Sequence, residues 1–93
     1  MSVKVKFYSL FRINLKSPGT EYQIDKEISV MDLIEMLDQE YDGYFSKKLL
    51  DGREINPGAI ILVNGDNIIH LDGVDTKLKD GDKVTLFPPS AGG

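Results

Sequence analysis

Hydrophobic positions along this chain switch between a two-residue and a 3.6-residue rhythm, and the switches mark out its elements. Val3-Lys4-Val5-Lys6-Phe7-Tyr8 alternates, with Val3, Val5 and Phe7 on one face and Lys4, Lys6 and Tyr8 on the other. This predicts a half-buried strand running to about Phe11. Ser17-Pro18-Gly19 marks a turn, and Glu21-Tyr22-Gln23-Ile24 opens a second strand reaching about Ile28, so the pair reads as a hairpin with a longer loop. Ser29 is placed to cap a helix; Asp32, three residues on, completes an S-x-x-D signal and suits the positive end of the helix dipole. Val30, Leu33, Ile34, Leu37 and Tyr41 then recur at i, i+3, i+4, i+7 and i+11, one stripe of an amphipathic helix that Asp42-Gly43 stops. Tyr44 to Leu50 predicts a short second helix, and Asp51-Gly52 opens an irregular stretch through Pro57-Gly58.

Ala59-Ile60-Ile61-Leu62-Val63 is a continuous apolar run, which predicts a central strand. Asn64-Gly65 signals a tight turn, with Ile68-Ile69 as a short edge strand beyond it. Asp80-Gly81-Asp82 turns the chain into the closing strand Lys83-Val84-Thr85-Leu86-Phe87, which alternates again. The elements predict an α+β fold, a mixed sheet of four to five strands packed on one main helix. Residues 1–87 form the domain, and 88–93 form a flexible, extended C-terminal tail ending in Gly-Gly.

Composition narrows the function classes. A chain of 93 residues makes one domain that buries only about 60–65% of its unfolded surface, which leaves little room for an enclosed active site. Fifteen acids against 11 Lys and Arg give a formal charge of −4, unfavourable for nucleic acid and better matched to a positively charged protein partner. With no cysteine there is no disulfide, thiolate nucleophile or Cys-based zinc site. Met1-Ser2-Val3-Lys4-Val5-Lys6 runs directly into a strand pattern, and no apolar run approaches the roughly 20 residues of a membrane span, so a cytoplasmic location is expected.

Few residues offer chemistry. His70 is the single histidine and has no companion ligand pattern, so a surface or turn role is expected. Asp25, Glu27, Asp32, Glu35, Asp38 and Glu40 scatter over a strand end and a helix flank, as solvated acids do. Gly65, Gly73 and Gly81 match neither G-x-G-x-x-G nor G-x-x-x-x-G-K-[ST] and read as turn residues, and Lys47-Lys48 reads as a solvated helix end. Two features remain. Tyr8 and Phe87 fall on the sheet face that a two-layer fold leaves open, where neighbouring aromatics mark a partner surface. The chain then ends Phe87-Pro88-Pro89-Ser90-Ala91-Gly92-Gly93, where the prolines stiffen the exit and the glycines leave a carboxylate that a narrow channel can enclose. Seven extended residues reach roughly 20 Å at about 3.1 Å each. Gly93 is thus the candidate reactive group, and a frayed, inert terminus is the plain alternative.

Three stretches carry a resemblance over nearly the whole chain. They are Val63-Asn64-Gly65, then Leu71-x-Gly73-x-Asp75-Thr76-x-Leu78-Lys79-Asp80-Gly81-Asp82-x-Val84, then Phe87-Pro88-Pro89-x-x-Gly92-Gly93. Together they resemble the MoaD family, the small sulfur-carrying subunits of molybdopterin synthase, whose fold is a ubiquitin-like β-grasp. The resemblance implies that an E1-like, ATP-using (MoeB-like) enzyme adenylates Gly93. Sulfur then replaces AMP to leave a thiocarboxylate, which a MoaE-like large subunit uses on a pterin precursor, within a heterotetramer. It implies roles for Gly92 and Gly93 in carrying sulfur, and for Tyr8, Phe87, Pro88, Pro89, Ser90 and Ala91 in meeting partners. The chain would bind no cofactor or metal itself, ATP belonging to the activating partner, and would have no self-contained active site. Other customers stay open: thiamine, tRNA thiolation, cysteine synthesis, or lysines joined to Gly93 by a ubiquitin-like modifier.

Overall fold

The structure, a computed structural model, describes residues 1–89. Strand β1 (Ser2–Phe7) leads into a short helix α1 (Leu10–Leu15) and then β2 (Gly19–Gln23). A two-residue strand β3 (Ile28–Ser29) precedes the main helix α2 (Val30–Tyr41), and α3 (Tyr44–Leu49) follows it. A small hairpin, β4 (Leu50–Asp51) with β5 (Glu54–Ile55), crosses to β6 (Ile60–Val63) and β7 (Asp66–Asn67). Two single 3₁₀ turns, β8 (Lys77–Leu78) and β9 (Lys83–Phe87) complete the described chain.

Five strands make one mixed sheet in the order β2-β1-β9-β6-β7. β9 is its centre, parallel to β1 and antiparallel to β6. The layer beneath is set by alternation: Val3, Val5, Phe7, Ile61, Val63, Val84 and Leu86 point inward and meet Val30, Leu33, Ile34 and Leu37 of α2. Each of those helix side chains contributes about 1.5–3 kcal/mol by burial. The capping box at the N-terminus of α2 is present as expected: Ser29 N–H donates to Asp32 Oδ2 and Asp32 N–H to Ser29 Oγ, each at 3.0 Å. A cap is worth about 1 kcal/mol, so packing holds this helix and the cap fixes where it starts. Among the described residues no helix is long and apolar enough to cross a membrane.

Three expectations need correction. The first strand stops at Phe7, and residues 10–15 are helical; Phe11, Ile13 and Leu15 alternate like a strand, yet Phe11 is buried while Ile13 is 68% exposed. The second strand ends at Gln23, short of Ile28; Ile24 N–H makes the last contact of its ladder with β1, to the Met1 carbonyl at 2.8 Å and in register with the Ser2–Gln23 pair. The edge strand is Asp66–Asn67, not Ile68-Ile69. Asn64 and Gly65 both hold positive φ (51° and 92°), the two-residue hairpin geometry, and this pairs Val63 with Asp66 and Leu62 with Asn67. Asn67 Oδ1 then accepts from Ile69 N–H at 3.0 Å and winds Ile68–His70 into a 3₁₀ turn. The apolar run at Ala59–Val63 does supply an interior strand, β6 between β9 and β7, with Ile60 40% exposed on its outer face.

Candidate functional site

β9 is held on both flanks and delivers the chain to the C-terminal tail, so the site is built around its two ends. At the entry end, the Asn64-Gly65 and Asp80-Gly81-Asp82 turns form one unit. Asp82, 5% exposed, accepts from Lys79 N–H and from Asn64 Nδ2, both at 2.9 Å. Asn64 Oδ1 in turn accepts from Lys83 N–H at 3.0 Å. The same loop fastens the start of β1: Lys4 N–H donates to the Asp82 carbonyl at 3.0 Å, and Ser2 N–H to Asp80 Oδ1 at 2.8 Å. Side-chain hydrogen bonds therefore align β1, β6 and β9 before the sheet ladder begins.

Burial by itself would raise the pKa of Asp82. The Lys79 N–H, the Asn64 amide and the Lys79 ammonium at 3.6 Å outweigh it and hold the carboxyl below its ordinary value. A depressed folded-state pKa contributes stability that is present above the unfolded aspartate value of about 3.9 and is lost as pH falls through the lower folded value. Asp32 behaves in the same sense, through hydrogen bonds first from the Ser29 backbone and then from its hydroxyl. Unfolding free energy is therefore expected to be flat near neutrality and to fall below about pH 4, with Asp82→Asn flattening that acid slope. Asp82→Ala strands two donors and is expected to cost about 1–3 kcal/mol at pH 7. Denaturant titrations at several pH values measure both; an Asp82→Ala variant as stable as the parent would contradict the clamp.

At the exit end, Phe87 leaves the sheet on its open face beside Tyr8. The rings stack at 5.1 Å between centroids with planes 18° apart, and Tyr8 N–H donates to the Leu86 carbonyl at 3.2 Å. Such a pair adds about 0.5–1.5 kcal/mol beyond area burial and stiffens the root of the tail. Ile60 lies opposite Phe87 across the β6–β9 ladder, which widens the apolar patch. Pro88 and Pro89 follow, both half-buried. Ser90, Ala91, Gly92 and Gly93 lie outside the described residues. The structure thus brings Tyr8 and Phe87 together at the start of the tail, as the alternation implied.

Ser9 carries no sequence signal, yet it adopts φ 57° and ψ −133° between Tyr8 and α1, a region that favours glycine. Holding a serine there costs on the order of 1–3 kcal/mol, so its surroundings fix the geometry next to the aromatic stack. The remaining candidates have structural duties or none. Asp38 Oδ1 accepts from Phe45 and Ser46 N–H at 3.1 and 3.0 Å and so caps α3, and Glu40 accepts from the Tyr22 hydroxyl at 2.5 Å. His70 is exposed in its 3₁₀ turn, and Lys47 and Lys48 are exposed on α3. Among the described residues no three His, Asp or Glu side chains converge as a metal site would.

Comparison with known proteins fits this geometry. The ThiS family profile matches residues 10–93. The chain belongs to the ThiS family. It is 38% identical over 93 residues to small archaeal modifier protein 3 of Haloferax volcanii, and each chain is covered completely. It is also 35% identical over 86 residues to a "putative sulfur carrier protein" of Archaeoglobus fulgidus, covering 87% of this chain and 98% of the relative. A solved structure named "putative molybdopterin converting factor, subunit 1" from Pyrococcus furiosus superposes with a TM-score of 0.75 at 30% identity, covering 97% of this chain and 99% of that one. The fold is accordingly a ubiquitin-like β-grasp, as the MoaD resemblance implied. This ThiS family member is a ubiquitin-like protein of the sulfur-carrier and modifier kind.

Proposed function

We propose that this ThiS family member carries sulfur as a thiocarboxylate on Gly93 and delivers it to a pterin precursor in molybdenum or tungsten cofactor synthesis. One observation carries the reading. The sheet's central strand, clamped at Asp82 and stacked at Tyr8–Phe87, ends at Phe87, six positions before Gly93, which supports a fold that presents that carboxylate. A carboxylate with a pKa of about 3.3–3.7 is ionised at neutral pH and is a poor electrophile. It needs an activating partner of the E1-like class: a carboxylate oxygen attacks the α-phosphorus of ATP, and pyrophosphate leaves. The terminal sulfur of a protein persulfide then attacks the carbonyl carbon and expels AMP. A thiol cleaves the resulting acyl disulfide, leaving Gly93 with one oxygen replaced by sulfur. A MoaE-like large subunit would next receive the tail, Tyr8 and Phe87 meeting its surface while Pro88 and Pro89 limit the entropy lost on insertion. The F-P-P-x-x-G-G ending and the kinship with the Pyrococcus protein support the pterin as recipient.

A second reading, in which the activated Gly93 carbonyl is attacked by a lysine amine to form an isopeptide, is favoured by the full-length kinship with the Haloferax modifier. Deleting the gene in the native host separates them. Under the first reading molybdopterin falls to background and returns with the parent chain but not with one lacking Gly92-Gly93. Normal molybdopterin alongside the loss of lysine adducts ending in Gly93 would favour the second.

A further inference from the structure

The sheet face turned away from α2 has a charge balance opposite to that of the molecule. Register sets Lys4 beside Lys83 across the parallel β1–β9 pair and beside Glu21 across β1–β2. Lys6, next along the face, lies beside Thr85 and Gly19. Strands β1, β2, β6 and β9 therefore put three lysines and one glutamate on this face, in a chain of net charge −4. Like charges directly across a strand pair are destabilising by a few tenths to about 1 kcal/mol, so the Lys4–Lys83 juxtaposition is a local cost. Glu21, on the other side of Lys4, offsets part of it by the same rule without closing to an ion pair. Ion pairs among the described residues join Arg53 to Asp75 and Lys79 to Asp82, and none involves Lys4, Lys6 or Lys83.

The lysines are also ordered with respect to the tail. Lys83 precedes Phe87 by four positions on β9, about 13 Å at roughly 3.3 Å per residue, and Lys4 is level with it. Lys6 lies half-way. Tyr8, Phe87 and Ile60 form the apolar end at the exit itself.

We infer that this face docks the enzyme that activates Gly93, and that the enzyme meets it with an acidic patch about 13 Å from the mouth of the channel that takes the tail. The inference rests on the carrier reading above and adds the chemistry of the partner surface. Apolar contact around the tail root excludes water, while the lysines steer the approach and fix its rotation. Asp32, Glu35 and Glu40 lie exposed on α2 in the other layer, so the same acidic patch repels a molecule that arrives helix-first. The net negative charge suggests a basic partner, whereas the docking face itself calls for an acidic one.

The test uses the full chain with the ATP-dependent activating enzyme of the same host, measured by carrier-dependent ATP–pyrophosphate exchange. Lys4→Glu with Lys83→Glu is expected to raise the KM for the carrier at least tenfold at low salt with kcat within about twofold, and the neutral pair Lys4→Gln with Lys83→Gln by about threefold. Both shifts should shrink in 0.5 M salt, where screening acts over only a few ångströms. Lys47→Glu with Lys48→Glu on α3 should leave KM within about twofold. A KM unchanged in the Lys4 and Lys83 variants, or shifted equally by the α3 pair, would overturn the inference while leaving the carrier reading intact. Parent chain that supports no exchange at all would instead remove the carrier reading and this inference with it. Salt-sensitive self-association of the parent, lost in the Lys4 and Lys83 variants, would reassign the face to a second copy of the chain.

Discussion

Removing Gly92 and Gly93 is expected to reduce adenylation and sulfur transfer to background while leaving the domain folded. The chemistry is confined to the terminal carboxylate, and shortening the chain by two residues moves that carboxylate back by about 6 Å at 3.1 Å per residue. It also replaces the least hindered terminus available with one carrying the Ala91 methyl group next to the reacting carbon. Reacting groups tolerate far smaller displacements, since a misplacement of about 1 Å can cost on the order of 10²-fold. The core cluster among the described residues is complete without the two glycines removed, so stability should change by no more than about 0.5 kcal/mol, roughly 2–4 °C in Tm. Pyrophosphate exchange and a thermal melt on the same sample report both halves. Retained transfer would remove Gly93 from the mechanism, and a collapsed melt would mean that the tail is part of the core.

Phe45→Ala has the largest expected effect on stability. Phe45 is fully buried at the start of α3, and four aromatic rings converge on it: Phe11 at 4.9 Å, Phe7 at 5.2 Å, Tyr41 at 5.4 Å and Tyr44 at 5.7 Å between centroids. Truncating such a ring costs about 3–5 kcal/mol, because the lost transfer energy is joined by a cavity that rigid neighbours cannot fill. A domain of this size is stable by only about 5–14 kcal/mol at 0.05–0.15 kcal/mol per residue. The variant should therefore melt at least about 12 °C lower, while Phe45→Leu, which keeps most of the volume, should lose well under half as much. The effect bears on function because Phe7 precedes Tyr8 directly and Phe11 anchors α1, so the ring cluster is the floor under the Tyr8–Phe87 stack. A Phe45→Ala loss of under 1 kcal/mol would show that the cluster is not the centre of the core.

That cluster was not legible in the sequence, for a physical reason. Aromatics spaced at Phe7, Phe11, Tyr41, Tyr44 and Phe45 belong to one strand end and three helices, and only the tertiary fold brings them together. Strong local signals were legible. The Ser29–Asp32 box, the Val30–Tyr41 stripe, the Asn64-Gly65 turn and the alternation of Lys83–Phe87 each rest on contacts within a few residues, and each appears where the pattern put it. The first strand was expected to reach about Phe11 and stops at Phe7, because a short stretch such as Tyr8-Ser9-Leu10-Phe11 does not separate the end of a strand from the first turn of a helix. The true boundary lies at Ser9, whose positive φ no serine announces. Strands of two residues, such as Ile28–Ser29 against Lys77–Leu78, are too short to leave any period. At the site, phase alone placed Tyr8 and Phe87 on one face. The link between Asn64 and Asp82 was hidden because each reads locally as an ordinary turn residue, and 18 positions separate them.

Sulfur on Gly93 is the central claim, and the mass of the intact protein isolated from its native host measures it most directly. A fraction of the molecules is expected to carry one sulfur in place of one oxygen, with fragmentation assigning the change to the C-terminal carboxyl of Gly93. A population bearing only unmodified carboxylate, with Gly93 recovered solely in isopeptide linkage to lysine, would contradict sulfur carriage and leave the chain a modifier.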